Sequence, residues 1–306
     1  MSLLVRYAEN EGPPRLGAVH DGGVTPLPFE SLAAALRVPV AALREAVEQA
    51  LGRSSVPLAA VRLLAPVDAQ EVWAAGVTYL RSREARLEES GGADAYARVY
   101  GAERPELFFK ANGRRVAGSG ESVGVRADSG WNLPEPEVAV VVNAHGEIAG
   151  YTVGDDVGSR DIEGENPLYV PQAKVYSRSC ALGPGIRPAW ELPTDPVFEI
   201  DLAVRRGGDI VVQGSTDTSR MVRGWHELVA WLTRALDFPD GAVLLTGTGI
   251  VPEGDFSLRE GDEVSITVAG VGTLRNAVAT VGNNSPIPRP RAAHAGAPNG
   301  KEPEAS

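Results

Sequence analysis

Between residues 67 and 284 the chain is cut again and again by glycine or proline, and this punctuation limits the fold more than any other feature. Glycine weakens a helix through backbone entropy and proline removes one of its hydrogen bonds, so the segment cannot be built from long helices. Between the breaks lie short runs rich in Val, Ile and Thr, at 72–75, 106–109, 138–142, 148–153, 198–204, 210–213, 243–245 and 264–268. Bounded by turn formers, such runs read as strands. One helix is expected at 218–236, where Met221, Val222, Trp225, Leu228, Val229 and Leu232 form an apolar stripe that ends before Phe238-Pro239. The expected class is α+β, dominated by β structure.

Three regions are expected. Residues 1–65 read as a small N-terminal domain, with strands at 3–7 and 15–20, Ser31 capping a helical stretch, and Pro39 breaking it before a second stretch at 40–51. Residues 66–285 form the main β-rich domain. The tail at 286–306, rich in Pro, Ala and Gly, has no periodicity and is expected to be disordered.

Forty acidic against twenty-nine basic residues give a net charge of −11. Nucleic acid and anionic membranes bind through clustered Lys and Arg, so neither is an expected partner, and the pairs Arg114-Arg115 and Arg205-Arg206 are too short to change that. No apolar run approaches the ~20 residues of a spanning helix. The opening residues lack a signal-peptide pattern, and a cytoplasmic protein is expected. The single cysteine, Cys180, cannot form an intramolecular disulfide, and with no histidine near it in sequence it reads as a core residue rather than a nucleophile.

The chemistry concentrates around Glu135 and Glu137, which open the run Glu135-Pro-Glu-Val-Ala-Val-Val-Val142. Residues two apart on a strand share a face, so both carboxylates project together. The chain then turns around His145-Gly146 and returns as Gly150-Tyr-Thr-Val-Gly-Asp-Asp156. If Asn143 pairs near Gly150, Asp156 falls opposite Glu137. Three carboxylates on adjoining strands suit a hard divalent ion, Mg²⁺ or alternatively Mn²⁺. On so acidic a chain, a solvated pair of acids is an equally good reading of Glu135 and Glu137 taken alone.

These residues belong to a longer set of blocks. Gly76-Val-Thr-Tyr79, Pro105-Glu-Leu-Phe-Phe-Lys110, Glu135-Pro-Glu137, Gly150 to Asp156, Ser159-Arg-Asp161, Ala173-Lys174, Leu182-Gly-Pro184, Thr246-Gly-Thr248 and Gly261-Asp-Glu263 occur in order. In number and order they resemble the fumarylacetoacetate hydrolase family. The resemblance implies a mixed β-roll with a smaller N-terminal domain, assembled as a homodimer or homotetramer. It implies a divalent ion held by Glu135, Glu137 and Asp156, with Asp155 a neighbour that is not a ligand. Within the family, the stretches at 82–90 and 162–174 look most like the branch that dehydrates 2-keto-3-deoxy-pentonates. The family's carbon-carbon hydrolases usually carry a histidine shortly after the Gly-x-x-Tyr block; here Tyr79 is followed by Leu80, Arg81, Ser82 and Arg83.

On this reading the substrate is a small 2-keto acid. Mg²⁺ stabilises an enolate as a Lewis acid, and Lys174, neutral through desolvation and the nearby cation, takes the C3 proton. Glu106, flanked by apolar residues, donates a proton to the departing C4 hydroxyl. Thr248, in a glycine-flanked loop, and Arg83, in a segment placed to act as a lid, bind substrate. Each has a plainer reading: a salt bridge to a metal carboxylate for Lys174, a strand charge or a partner of Arg104 or Lys110 for Glu106, an ordinary turn for Thr248, a solvated helix for Arg83 and Glu84. Glu163 and Glu165 read as surface acids near the site entrance, and Trp131 and Trp190 as structural. The alternative activities are acylpyruvate hydrolysis and 2-keto acid decarboxylation. From a different class, a binding module would use the ion for structure alone.

Overall fold

The computed structural model describes residues 2–82, 84, 94–254 and 256–282. Arg83, most of the segment at 81–90 and the tail at 286–306 lie outside the described residues.

The N-terminal strands are β1 Leu3–Glu9, β2 Arg15–His20, β3 Gly23–Pro26, β4 Val56–Pro57 and β5 Val61–Leu64. Then come β6 Glu71–Gly76, β7 Glu106–Asn112, β8 Val116–Ala117, β9 Ser122–Arg126, β10 Asn132–Leu133, β11 Pro136–Val142 and β12 Ile148–Asp156. The last are β13 Gly158–Ser159, β14 Cys180–Pro188, β15 Glu199–Arg206, β16 Asp209–Asp217, β17 Ala242–Leu245, β18 Glu263–Val268 and β19 Gly272–Val281. Among the described residues the large sheet runs β4-β3-β2-β1-β14-β12-β11-β17-β6-β7, with β5 on β1 and β8 on β14. A five-stranded sheet runs β16-β15-β18-β19-β9. The N-terminal strands join the large sheet where Leu4 pairs with Ile186.

Every residue of β11 is buried, because both of its faces are covered. Ala139 and Val141 pack with Val243 and Leu245 into a core that includes Leu32, Leu36, Leu43 and Val47 of the N-terminal helices. Val138, Val140 and Val142 face the other way, into a core with Ile200, Leu202, Val204, Ile266 and Val268 of the five-stranded sheet. The centre of the molecule is thus a strand sandwiched between helices and a second sheet, and its end carries the acidic residues.

Two expectations change. The helix expected at 218–236 spans only Trp225–Leu232. Met221 forms a β-bridge with Tyr79, and the Val222 amide donates to the Thr78 carbonyl at 2.9 Å, so the main chain here makes a strand-like contact instead of a helical turn. The β11–β12 hairpin is also tighter than expected. The Asn143 amide donates to the Glu147 carbonyl at 3.0 Å, Val142 pairs with Ile148, and a bulge follows. Glu137 therefore lies opposite Gly154, and the Asp156 amide donates to the Glu135 carbonyl at 3.0 Å. The slip is two residues, one full side-chain period, so Asp156 keeps the face it shares with the glutamates.

Candidate active site

Glu135, just before β11, Glu137 within it and Asp156 at the end of β12 converge: one carboxylate oxygen from each lies within 4.8 Å of the others, and all three residues are buried. Burial, then the charges of Asp156 and Glu135, hold the Glu137 carboxyl well above the usual range, against the pull of the Gly247 amide and Lys174. The Gly247 amide donates to Glu137 Oε2 at 2.6 Å. Gly247 has φ +94°, and a Cβ there would lie 1.9 Å from Thr78 Oγ1, so only glycine brings this amide to the carboxylate.

Cations answer the acids. Lys174, the last residue of the helix Val170–Lys174, is 0% exposed, with Nζ 2.9 Å from Glu135 Oε1 and 3.1 Å from Asp156 Oδ2. Gly158 lies against its tip: a Cβ there would sit 2.9 Å from Nζ. Arg160 Nη2 also reaches Glu135 Oε1, at 2.9 Å, and Lys110 Nζ meets Asp156 Oδ1 at 2.5 Å. Asp155 points elsewhere, its Oδ1 accepting from the Glu135 amide at 3.0 Å, and burial is the main cause raising its carboxyl to about 7.

Glu106 is half-buried and paired with Gly76 of the cleft wall, where an added Cβ would meet Glu106 Oε2 at 2.0 Å. Lys110, read from sequence as one potential partner for Glu106, binds Asp156 instead. Thr248 lines the cleft, but its hydroxyl engages its own turn, donating to the Ile250 carbonyl at 3.1 Å and accepting from the Ile250 amide at 3.2 Å. Arg83 lies outside the described residues. In the neighbouring segment, Arg81 and Glu84 approach to 4.0 Å. Glu163 is not a surface acid: it is buried, 3.9 Å from Arg160, whereas Glu165 is exposed. Cys180 is fully buried and its thiol is pushed up by burial, as suits a core residue.

The cleft wall includes Gly76, Val77, Phe108, Arg160, Gly247 and Thr248. Val77 adopts φ +53°, an uncommon conformation for a β-branched residue, where the chain leaves β6 and turns toward the bridge at Tyr79. Sequence reasoning assigned no separate role to Lys110, Arg160 or the Gly247 amide. Their signal was membership in the quoted blocks, since nothing in residue spacing marks a buried cation or an amide donor.

The donor set fits a hard divalent ion. It supplies oxygens from three clustered acids, and burial together with their mutual repulsion raises one carboxyl. The model of the fumarylacetoacetate hydrolase C-terminal family matches residues 71–279, the span that holds all these groups. The chain belongs to this family. A Haloferax volcanii protein named "Probable 2-keto-3-deoxyxylonate dehydratase" is 52% identical over 216 residues, 71% of this chain and 74% of the relative. A 2-dehydro-3-deoxy-D-arabinonate dehydratase from Saccharolobus solfataricus is 45% identical over 218 residues, 70% and 73% of the two chains. Among solved structures, 2-keto-3-deoxy-D-arabinonate dehydratase complexed with magnesium and 2,5-dioxopentanoate superimposes with a TM-score of 0.78 at 36% identity, covering 92% of this chain and 99% of that one. Its apo form gives 0.80, also at 36% identity, over 92% of this chain and 100% of that one. The β-dominated fold expected from the sequence is thus the fold of this family. No helix among the described residues is long and apolar enough to cross a membrane.

Proposed function

We propose that this chain is a Mg²⁺-dependent hydro-lyase acting on a 2-keto-3-deoxy sugar acid, 2-keto-3-deoxy-arabinonate or a close relative, to give 2,5-dioxopentanoate. The observation that carries the reading is Lys174: a fully buried amine held between two members of a carboxylate triad, in a chain 45% identical to a 2-dehydro-3-deoxy-D-arabinonate dehydratase.

Glu135, Glu137 and Asp156 would hold the ion, which when bound supplies a Lewis acid for the carboxylate and keto oxygens of the substrate. The residues then divide the work. Lys174, whose Nζ lies between Glu135 and Asp156, is proposed to act as a free amine. That amine takes a C3 proton, whose bonding electrons move toward the C2 carbonyl. Glu106, beside Gly76 of the cleft wall, gives its proton to the C4 hydroxyl, which departs as water. Transfer of a proton from C5 to C3 converts the resulting 3,4-alkene into a 4,5-enol, whose hydroxyl proton moves to C4 to leave the 5-aldehyde. Arg83, with Thr248, is proposed to bind the substrate's carboxylate or hydroxyls.

Assembly as a homodimer or homotetramer and a cytoplasmic location are part of the same proposal. Exposed Ile210 and Val211 on the edge strand β16 support the first, and a lone buried cysteine supports the second. The test is a substrate panel with Mg²⁺: D- and L-2-keto-3-deoxy-arabinonate, which are the same compounds as the 2-keto-3-deoxy-xylonates because only C4 remains a stereocentre, and an acylpyruvate. Release of 2,5-dioxopentanoate from a sugar acid is expected, lost in Glu106→Gln. Pyruvate released from the acylpyruvate alone would move the chain to carbon-carbon hydrolysis.

A further inference from the structure

Lys110 belongs to none of the roles above, yet it is as deeply buried as Lys174, at 0% exposure. Its placement comes from an irregularity in the sheet. Along β6 and β7, Trp73 pairs with Phe109 and Val72 with Ala111, so Lys110 is the extra residue of a bulge. A bulge bends its strand and re-aims a side chain, and this one sends a lysine into the interior.

There the ammonium meets three oxygens: Asp156 Oδ1 at 2.5 Å, the Val157 carbonyl at 2.8 Å and the Lys174 carbonyl at 2.8 Å. The two carbonyls accept hydrogen bonds from the ammonium, and Asp156 Oδ1 faces it as an ion pair. The ring of Tyr176 lies 6.0 Å from Nζ. Asp156 and Lys174 line the substrate cleft, whereas Lys110 is not among the residues of its wall. Lys110 therefore acts on the site from behind, through one carboxylate and two main-chain carbonyls.

We infer that Lys110 is a positioning residue that sets the ion affinity of the carboxylate triad. It fixes the Asp156 carboxylate by one oxygen, leaving Oδ2 turned toward Lys174. By bonding the carbonyls of Val157 and Lys174, it ties the end of β12 to the end of the helix that carries the base. Ligand and base then move as one body. Groups that orient metal ligands from behind contribute to affinity as well as geometry. The inference rests on the metal-dependent reading above and adds to it the group that makes the triad rigid.

The test is Mn²⁺ binding to the full chain, read from the electron paramagnetic resonance signal of free Mn²⁺, for the parent, Lys110→Met, Asp156→Asn and the double variant. Lys110→Met is expected to raise Kd about 10- to 100-fold. Combined with Asp156→Asn, it should add little to the loss of Asp156→Asn alone, because the first residue acts through the second. A merely structural lysine would lower the melting temperature without that non-additivity. Lys110→Arg keeps the charge and serves if Lys110→Met does not fold; its planar fork cannot match three acceptors around one nitrogen, and a several-fold weaker Kd is expected. Parental affinity in the folded variant, or losses that multiply in the double variant, would overturn the inference. A parent that does not bind Mn²⁺ would instead overturn the metal-dependent reading itself.

Discussion

Two glycines define how closely the reactive groups approach. A methyl group at Gly158 would press on Lys174 at Cδ, Cε and Nζ, 3.2, 3.0 and 2.9 Å away, with no backbone atom among its three nearest neighbours, so the side chain is what must shift. Gly158→Ala is expected to melt within a few degrees of the parent yet lose about 10- to 100-fold in kcat, because displacing a reacting atom by even an ångström is costly. A parental kcat would show that Nζ has no fixed station. Gly247 is the opposite case, since both its φ and its contact with Thr78 oppose a side chain. Gly247→Ala should destabilise by at least about 1–3 kcal/mol in a denaturant titration and weaken divalent-ion binding through Glu137. For Lys174→Met, a fall of about 10²- to 10⁴-fold in kcat is expected, with Mn²⁺ binding retained, because the variant removes a base and leaves the triad. Loss of Mn²⁺ binding in that variant would give Lys174 a structural role instead.

At the scale of elements, the hairpin β11–β12 does most to build the site, and its core is shared with β17. Leu245 of β17 is fully buried in the cluster with Ala139 and Val141, and it is the atom neighbour that keeps Gly154 free of a side chain, a Cβ there lying 2.3 Å from Leu245 Cδ2. Leu245→Ala should cost about 2–5 kcal/mol of stability by denaturant unfolding. This hairpin was legible because an apolar run, a turn and a glycine-rich return follow one another, and its facing survived a register error of one full period. The tight turn at Asn143 caused the error by shifting the register three residues, and the bulge after Val141 took one back, which restored the facing. Strand β14 was missed because Leu182-Gly-Pro-Gly-Ile186 carries turn residues, although in the structure it joins the N-terminal strands to the centre of the sheet. The over-long helix had the converse cause: Met221 and Val222 continue a helical stripe but are claimed by the chain at Thr78 and Tyr79. The inward aim of Lys110 was illegible for the same kind of reason, since the bulge exists only against β6. We propose the domain boundary near residue 65, where the N-terminal strands give way to β6 and the residues matched by the family model.

For the molecule as a whole, the triad buries three acids within reach of Lys174, Arg160 and Lys110, so the metal-free protein already compensates its acidic centre. Divalent-ion binding should therefore stabilise by mass action alone, about 2.7 kcal/mol at a hundredfold excess over Kd, or a few degrees in melting temperature. A collapse of the fold on chelation would favour a structural ion. The most direct measurement of the central claim is turnover of 2-keto-3-deoxy-arabinonate to 2,5-dioxopentanoate by the parent with Mg²⁺, with chelator, and by Glu137→Gln, each confirmed folded by its melting curve. Product is expected only from the parent with Mg²⁺, returning when Mg²⁺ is restored in excess of the chelator. Undiminished product from the chelated protein or from Glu137→Gln would contradict the account, because dehydration would then proceed without the carboxylate triad.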